Sequence, residues 1–453
     1  MRYALKETQK SLKMGKIAAF LIAFIISIPA SANMMLIPMD DNQTNHLKAY
    51  GIAYFVLEEG VEAEWLLNYR GGSFVFPYTE KFERECIVRE VSYEMISNAE
   101  YNRILREIED PEVNQNAIEL EIAPEIAVYA PGNHQPWDDA VTLALDYAEI
   151  PHDIIYDDEV LQNELPQYDW LHLHHEDFTG QFGKFWASYR NASWYQEEVR
   201  YLTEIANRWG YSSVDQLKLE VAENIRDYVI GGGYLFSMCS APETFDITLA
   251  AHEVDIVGPM FNDSPMDDNV NDKLDYSRTF AFRDFQVSEN PYEYSYSNID
   301  NDPRSRNINP EDDFFTLHEF SAKWDKIPSM LNQNHTRVVK GFLGQTTAFR
   351  KNYVRPDVTI LGETERLDEV RYIHGTKGEG MWTFYGGHDP EDYRHLVGDP
   401  PTDLDLYPNS PGYRLILNNV LFPAARPEKR KTDIPEMEEN HHFLGNLFKE
   451  ANE

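Results

Sequence analysis

The stretch GGGYLFSMCSAPETF, residues 231–245, holds three glycines, a short apolar run and one cysteine. The run YLFSMC (234–239) is apolar and follows the glycines, which predicts a buried strand. The segment TFDITLAAH (244–252) comes next and has the pattern of a helix. Cys239 therefore lies at a predicted turn from strand to helix, where the helix N-terminus lowers the pKa of a thiol and favours its nucleophilic form.

Three interpretations of Cys239 stay open from the sequence. It is a nucleophile on this turn, a small apolar residue packed in the core, or half of a disulfide with Cys86, the other of the two cysteines. Buried free cysteine is common, and paired cysteines are common in exported proteins. A nucleophile turn usually has small residues on both sides, as in G-x-S-x-G; here Ser237 and Ala241 are small, but no glycine flanks Cys239.

Short apolar runs alternate with amphipathic segments along most of the chain. The predicted strands are 34–40, 62–68, 125–131, 152–157, 169–177, 234–239, 254–258 and 380–387. The predicted helices are 45–60, 98–110, 137–150, 194–230, 244–252 and 410–423. This alternation is typical of parallel strands joined by crossover helices. The sequence therefore predicts an α/β protein with a flavodoxin-like, doubly wound, mostly parallel sheet, an N-terminal extension and a long insertion.

The N-terminus has the pattern of an export signal. Basic residues in MRYALKETQKSLKMGK precede the apolar run IAAFLIAFIISIPA, and the small residues Ala30-Ser31-Ala32 follow. This order predicts a cleaved signal peptide over 1–32, with a mature start near Asn33. We therefore expect a periplasmic or secreted protein.

The composition divides the remainder of the chain into further regions. Residues 260–355 are rich in Asp, Asn, Ser and Pro and show little periodicity, which indicates an insertion. The predicted regions are an N-terminal βαβ-containing extension over 33–120, a main domain over 121–426 that contains this insertion, and a charged tail over 427–453.

The charge of the protein excludes some classes of partner. The chain has 40 Lys and Arg against 77 Asp and Glu, a formal net charge of −37. Such a surface repels phosphate backbones and anionic lipids, so we expect no nucleic-acid partner. No segment after the signal is long and apolar enough to predict a membrane helix. The expected partner is a small-molecule substrate or a sugar.

A histidine with nearby carboxylates follows the last predicted strand. YGGHDPEDY (385–393) places His388 directly after two glycines and close to Asp389, Glu391 and Asp392. A histidine beside a carboxylate is the arrangement of a general base with an orienting acid. His388 is equally compatible with a loop histidine that bonds to its own turn.

HLHHED (172–177) lies at the end of another predicted strand. Alternation places His172 and His174 on one face of the strand. Such a cluster either binds a metal ion or lines a cleft through hydrogen bonds. The spacing fits no established ligand signature, so no metal site and no cofactor are predicted.

Ligands bind at the carboxyl ends of the strands in open α/β sheets. Polar residues near predicted strand ends are therefore predicted to bind the substrate: Asp40, His46, Arg70, His172, His174 and Ser240. Two of them have simpler interpretations as well. Asp40 is compatible with a helix N-cap, and Arg70, a candidate carboxylate or phosphate ligand, with an ordinary surface arginine.

GGGYLFSMCSA, FYGGHDPED and the terminal NNVLFP together resemble the class I glutamine amidotransferase-like superfamily, and its ThuA-like (trehalose-utilisation) branch in particular. In the amidotransferases an apolar strand ends in the nucleophilic cysteine, and a later His-Pro-Glu element supplies the base and the acid. The resemblance implies that Cys239 is the nucleophile, His388 the base and Glu391 the acid.

The stretches LIPMDDNQTNHLKAYGIAYFVLEEG and EWLLNYRGGSF are also similar to exported bacterial proteins that carry the label asparagine synthetase B. A glutamine-hydrolysing asparagine synthetase has a cysteine at its mature first position and an SGG-x-DS phosphate loop. Here cleavage leaves Asn33, and no such phosphate loop occurs in the sequence. We interpret the label as a transferred name and predict no ATP site.

Two classes of function follow. The first is a Cys-dependent hydrolase or amidase that acts on a small amide, ester or saccharide-derived substrate. Backbone N–H groups after Cys239 would stabilise its oxyanion. The alternative is a non-catalytic periplasmic module that binds a sugar or another small ligand in the same cleft, through His172, His174 and Arg70.

Overall fold

The computed structural model describes residues 33–132, 135–301 and 303–425. The predicted signal peptide (1–32) and charged tail (427–453) lie outside the described residues. The strands are β1 (Met34–Ile37), β2 (Ala63–Leu67), β3 (Ser73–Pro77), β4 (Glu94–Ile96), β5 (Asn116–Leu120), β6 (Ile126–Tyr129), β7 (Asp153–Ile155), β8 (Trp170–Leu173), β9 (Tyr234–Met238), β10 (Phe314–Leu317), β11 (Val338–Lys340), β12 (Phe349–Arg350), β13 (Thr359–Thr364), β14 (Glu369–Lys377) and β15 (Gly380–Tyr385).

The helices are α1 (His46–Glu58), α2 (Glu80–Val88), α3 (Asn98–Glu109), α4 (Ala140–Ala148), α5 (Asp157–Leu161), α6 (Trp186–Tyr189), α7 (Ser193–Trp209), α8 (Val214–Ile230), α9 (Ala241–Ala250), α10 (Pro259–Asn262), α11 (Pro303–Arg306), α12 (Lys326–Leu331) and α13 (Pro411–Leu421). Within the described ranges, each helix is too short or too polar to span a bilayer.

The strands form two sheets in a mixed α/β protein. The larger sheet has ten strands in the order β11-β10-β13-β14-β15-β9-β8-β6-β7, and β12 pairs with β14. The strands from β15 to β7 are parallel, whereas those from β11 to β14 pair antiparallel. Counted along the chain, the parallel strands lie in the order 2-1-3-4-5, which occurs in doubly wound sheets.

The N-terminal strands form a separate antiparallel sheet in the order β4-β1-β3-β2-β5. This differs from the single sheet that the sequence predicts. The cause is the hairpin between β2 and β3, where Gly71 and Gly72 have φ of 78° and 91°. Glycine adopts this left-handed backbone without strain. The hairpin places β3 between β1 and β2, and β3 is antiparallel to both.

Helices cover both faces of the parallel strands. Val128 of β6 and Trp170 of β8 pack in one apolar cluster with α4 and α13, while their neighbours Ala127 and Leu171 pack in a second cluster with α7, α8 and α9. Successive side chains of a strand point to opposite faces. Both faces of these strands are therefore buried, which explains why their sequences are almost entirely apolar.

Two segments differ from the sequence prediction. Residues 254–258 form no strand, although Val254, Ile256 and Val257 are buried in the second apolar cluster. Their apolar character therefore reflects packing rather than sheet pairing. The predicted insertion supplies β10, β11 and β12, and together with β13 and β14, which follow it, these strands extend the large sheet beyond β15.

A buried ion-pair network fixes this added part of the sheet. The Arg306 guanidinium lies 2.7 Å from the Asp313 carboxylate and 2.6 Å from that of Glu369, and all three side chains are fully buried. Tyr393, in the loop after β15, donates its hydroxyl to Asp313 at 3.2 Å. The network thus connects the insertion to the loop that carries His388.

Replacing Arg306 tests this network. Arg306→Met removes the cation that contacts both buried carboxylates and leaves only Arg371, 4.0 Å from Asp313, and breaking a buried ion pair costs about 3–5 kcal/mol. We expect the free energy of unfolding, measured by urea denaturation, to fall by about that amount. The control is Arg103→Met in α3, whose ion pairs are exposed and should contribute less than about 1 kcal/mol. Equal losses in the two variants would contradict the assigned role.

Candidate active site

Cys239 lies directly after β9 and two residues before α9 begins. Its φ is 54°, in the left-handed region that non-glycine residues seldom adopt. The Cys239 N–H donates to the Gly387 carbonyl at 3.1 Å, which holds the turn in this conformation. A strained residue between a strand and a helix is the geometry that presents a nucleophile at the top of an α/β sheet. Both cysteines are free, so the disulfide interpretation of Cys239 is wrong.

Hydrogen-bond donors surround the sulfur of Cys239. The Gln345 backbone N–H donates to Sγ at 3.3 Å, and a ring nitrogen of His388 lies within 4.8 Å of it. Burial opposes the thiolate, yet His388 and the backbone amides of Gln345 and Ser240 together lower the pKa of Cys239 below its ordinary value. Cys86, buried in α2, has its pKa raised by burial to about 12. The two thiols are therefore chemically different.

His388 is positioned by contacts between two loops. It follows Gly386 and Gly387 at the carboxyl end of β15, and its own N–H donates to the Leu343 carbonyl at 2.9 Å. Gly344 has no room for a side chain, because a Cβ there would lie 2.8 Å from the His388 backbone nitrogen. The insertion loop therefore packs directly against the histidine loop and brings the Gln345 amide to the sulfur.

The carboxylates at the site come from the turn between β6 and α4. Asp138 Oδ1 lies 4.0 Å from Nε2 of His388 and 3.0 Å from Nε2 of His395. Asp139 caps α4, because its Oδ1 accepts from the N–H groups of Val141 and Thr142 at 2.8 and 2.9 Å. The hydrogen bonds of this cap hold the turn before α4, and that turn positions the carboxylates of Asp138 and Asp139.

The charges at the site favour an imidazolium beside a thiolate. Burial disfavours a charged His388, but Asp138 and Cys239 raise the pKa of His388 to about 10. In turn, His388 and His395 outweigh the burial of Asp138 and hold the pKa of that carboxyl well below its usual value. The arrangement is therefore suited to thiolate chemistry near neutral pH.

His174 supports the ring of His388 from the other side. Its Nε2 lies 3.0 Å from Nδ1 of His388, and its Nδ1 lies 3.5 Å from Asp139. Burial lowers the pKa of His174 to about 4, so the ring is neutral at pH 7. With its proton on the nitrogen that faces Asp139, neutral His174 accepts a hydrogen bond from His388 Nδ1–H. Among the predicted ligand residues, His174 thus contacts the candidate base.

Glu391 does not occupy the place that the sequence predicts for it. Its carboxyl bonds to Ser410, and its backbone N–H donates to Asp389 at 2.8 Å. Asp389 in turn accepts from the hydroxyl of Tyr413 in α13 at 2.8 Å. The turn after His388 therefore directs Asp389 and Glu391 towards α13, and the carboxylate nearest His388 in the described chain is Asp138.

His172 and Ser240 are buried beneath the site. His172 Nδ1 lies 3.2 Å from the Phe236 carbonyl, and its Nε2 lies 3.2 Å from Asp139. The Ser240 hydroxyl faces the carbonyl of Glu176 at 3.5 Å. Neither side chain is among the residues that line the cavity next to Cys239, so neither is placed to contact a substrate there as predicted. Ser240 contributes to the site through its backbone amide, which helps to lower the pKa of Cys239.

Asp40, His46 and Arg70 lie in another part of the molecule. Arg70 pairs with Asp40 at 2.7 Å and with Glu94 at 2.8 Å. His46 stacks on His335 with ring centroids 4.3 Å apart. Asp40 lines a separate cavity of about 400 Å³ that does not include Cys239. These predicted ligands therefore do not join the histidines, and the cleft proposed for a binding module is not assembled from Arg70 and His172.

The cavity next to Cys239 has a volume of about 640 Å³, within the usual range for a small-ligand site. Its lining includes four aromatic side chains, two arginines and one aspartate: Trp137, Phe185, Tyr189, Tyr294, Arg304, Arg394 and Asp300. Cys239, Gln345, His388 and His395 also face it.

The sequence analysis missed three residues of the site. Asp138 was hidden because an acidic pair before a helix has the pattern of an N-cap, a role that Asp139 does fill. His395 lies seven residues after His388, and only the return of the loop brings the two rings together. Gln345 lies in the insertion. Asp138 could have been identified from its position after a predicted parallel strand, because ligands bind at the carboxyl ends of such strands.

Three groups of side chains place potential metal-ligand atoms within 4.8 Å of one another around His388 and His174. They are His174–Cys239–His388, Asp138–His388–His395 and Asp139–His172–His174. The predicted absence of a metal remains a prediction.

No protein-family model matches the sequence, and no curated protein matches it. The cytoplasmic protein STM3548 from Salmonella typhimurium is 12% identical, with a TM-score of 0.33, over 67% of this chain and 99% of that one. The cytoplasmic protein STM1381 from the same organism is 11% identical, with a TM-score of 0.33, over 67% and 100%. Gan42B, a GH42 beta-galactosidase, is 13% identical, with a TM-score of 0.27, over 59% and 28%. Similarities this weak carry no argument about activity.

Gly344→Ala tests whether the contact between the two loops activates Cys239. The added Cβ meets backbone atoms, so the Gln345 amide should move away from the sulfur and the thiol pKa should rise. A rise of one unit lowers the thiolate fraction about tenfold below the pKa. We therefore expect iodoacetamide to modify Cys239 up to about tenfold more slowly at about pH 6, with the rate followed by peptide mass spectrometry.

The control is Gly231→Ala, whose Cβ would make contacts of 3.4 Å or longer and should leave the rate unchanged. The rate at which iodoacetamide modifies the buried Cys86 in the same samples shows whether the substitution opens the whole fold. Equal rates in wild type and Gly344→Ala would show that the loop contact does not activate the thiol.

Proposed function

We propose that this protein is an exported hydrolase or amidase in which Cys239 is the nucleophile and His388 the general acid and base. The proposal depends on one observation above the others. Cys239 in a left-handed strand-to-helix turn, the His388 ring and the Gln345 amide meet at the wall of one cavity, and the Ser240 amide faces the same sulfur. We also propose that the chain belongs to the ThuA-like branch of the class I glutamine amidotransferase-like group and has a flavodoxin-like, doubly wound core. The predicted signal peptide, residues 1–32, would direct its export.

The proposed reaction is acyl transfer through a thioester. The Cys239 thiolate attacks the substrate carbonyl carbon, and the carbonyl oxygen takes the negative charge. The Ser240 and Gln345 amides, which already face the sulfur, are placed to stabilise that oxyanion. His388 then gives its proton to the departing amine or alcohol, and the carbon–nitrogen or carbon–oxygen bond breaks.

The second half of the reaction returns the enzyme to its first state. Neutral His388 accepts a proton from a water molecule, and the resulting hydroxide attacks the thioester carbon. The acid product leaves, the Cys239 thiolate is restored, and the proton remains on His388. Asp138 stabilises the imidazolium, and His174 is placed to hold the orientation of the ring.

The cavity supports a small substrate with an apolar or ring-shaped part. Its aromatic side chains offer surfaces for stacking, and the arginines and Asp300 in its lining suit a polar group. Small amides, esters and saccharide-derived compounds are the substrate classes that we propose.

Hydrolysis of p-nitrophenyl esters and a panel of small amides tests the proposal. We expect Cys239→Ala to reduce turnover to background, because no nucleophile remains. Asp138→Asn should lower kcat/KM by at least about 100-fold, as expected for loss of a group that supports general acid–base catalysis. Glu391→Gln is the matched change at the acid that the family resemblance implies. Its kcat/KM should stay within about twofold of the wild-type value, because the Glu391 carboxyl faces Ser410.

The assays contain a chelator so that metal ions do not influence the rates. Ligand binding without any turnover in wild type would support the binding-module alternative. A strong loss in Glu391→Gln with none in Asp138→Asn would restore the sequence-based assignment of the acid.

A further inference from the structure

Four buried polar atoms converge beside Cys239. Asp138 Oδ1 lies 3.0 Å from His395 Nε2 and 4.0 Å from His388 Nε2, but within the described residues neither contact, nor any at Asp138 Oδ2, has the geometry of a hydrogen bond. The three side chains are 10%, 8% and 4% exposed. Buried polar groups are almost always satisfied, and an ion is one explanation when they are not.

The spacing of these atoms fits one metal ion. Asp138 Oδ1 lies 3.0 Å from His395 Nε2 and 4.0 Å from His388 Nε2, and the atoms that the three residues offer all lie within 4.8 Å of one another. A tetrahedral ion with bonds of about 2.0–2.1 Å separates its ligands by roughly 3.4 Å. The two measured separations bracket that value. The two imidazoles are stacked, with centroids 4.6 Å apart and ring planes 22° from parallel, so a ring has to turn before both Nε2 lone pairs point at one ion.

The other nitrogen of each ring already has a partner. His395 Nδ1 lies 3.0 Å from Asp392, and His388 Nδ1 lies 3.0 Å from His174 Nε2. Histidines that bind metals usually donate their second N–H to such a partner, which leaves the first nitrogen free to coordinate. Both His388 and His395 also face the cavity. A water molecule or another ligand could therefore reach the fourth coordination position of the ion from the cavity.

We propose that Asp138, His388 and His395 form a binding site for a divalent transition-metal ion of the Zn²⁺ type. Two imidazoles and one carboxylate favour Zn²⁺ over Mg²⁺ or Ca²⁺, which prefer oxygen ligands. The bound ion would occupy His388 Nε2 and Asp138, so it would inhibit the thiol chemistry of Cys239. The inhibition rests on the proposed function, whereas the binding itself does not.

Equilibrium dialysis against Zn²⁺, with the metal measured by atomic emission, tests the site. The full chain is first treated with a chelator. We expect one tightly bound Zn²⁺ per chain. Asp392→Asn removes a partner of a ligand and should weaken binding about 10–100-fold, while Asp138→Asn and His395→Ala should weaken it at least as much. Circular dichroism and thermal unfolding show whether each variant is folded.

Two further variants separate this site from other zinc ligands. Cys239→Ser should retain the bound ion, and His152→Ala, at the opposite edge of the sheet, should bind as wild type does. Zn²⁺ should slow iodoacetamide modification of Cys239 in wild type but not in His395→Ala.

Unchanged Zn²⁺ affinity in folded Asp138→Asn and His395→Ala would overturn the proposed site, as would loss of the ion in Cys239→Ser. A chain that binds Zn²⁺ through these residues but shows no thiol reactivity would refute the proposed hydrolase and leave the metal site intact.

Discussion

The backbone conformation of Cys239 is the constraint on which the site depends. A left-handed φ at a non-glycine residue is costly, so it persists only where surrounding contacts hold it. Here the Cys239 N–H bonds to the Gly387 carbonyl, and the same loop carries His388. One hydrogen bond therefore places the sulfur and brings the histidine to it. The insertion completes the arrangement, because Gly344 lets its loop approach closely enough for the Gln345 amide to reach Sγ.

The parallel half of the sheet explains why these groups meet. Three turns at the carboxyl ends of β6, β9 and β15 supply Asp138, Cys239 and His388 respectively. Strands that lie side by side bring their ends to one edge. The Asp139 cap holds the turn before α4, and the buried Arg306 network contacts the loop after β15 through Tyr393.

The same atoms offer two kinds of chemistry. Protonated His388 is a partner for a thiolate, while the unprotonated ring, with Asp138 and His395, is a ligand set for Zn²⁺. Metal binding requires deprotonated ligands, so the two states exclude each other. Metal supply would thereby control how much of the protein carries an active thiol.

Part of this site could be predicted from the sequence. The apolar runs that end at Cys239 and His388 identified both residues, because strand ends in an α/β pattern share an edge. The family resemblance implied Glu391 as the acid, and nothing local to HDPED shows that the carboxyls of Asp389 and Glu391 turn towards α13. Asp138 was overlooked because an acid before a helix is normally a cap. The antiparallel N-terminal sheet and the strands of the insertion depend on long-range pairing of short segments, which periodicity does not reveal.

The most direct measurement of the central claim is the ultraviolet absorbance of the Cys239 thiolate as a function of pH. It is taken as the difference between wild type and Cys239→Ser, with a chelator present. A thiol held by His388 and two amides should ionise with a midpoint clearly below the ordinary value of about 8.5. A midpoint at or above that value would mean that Cys239 is a packed, inert thiol, and the account of this protein as a cysteine-dependent hydrolase would be wrong.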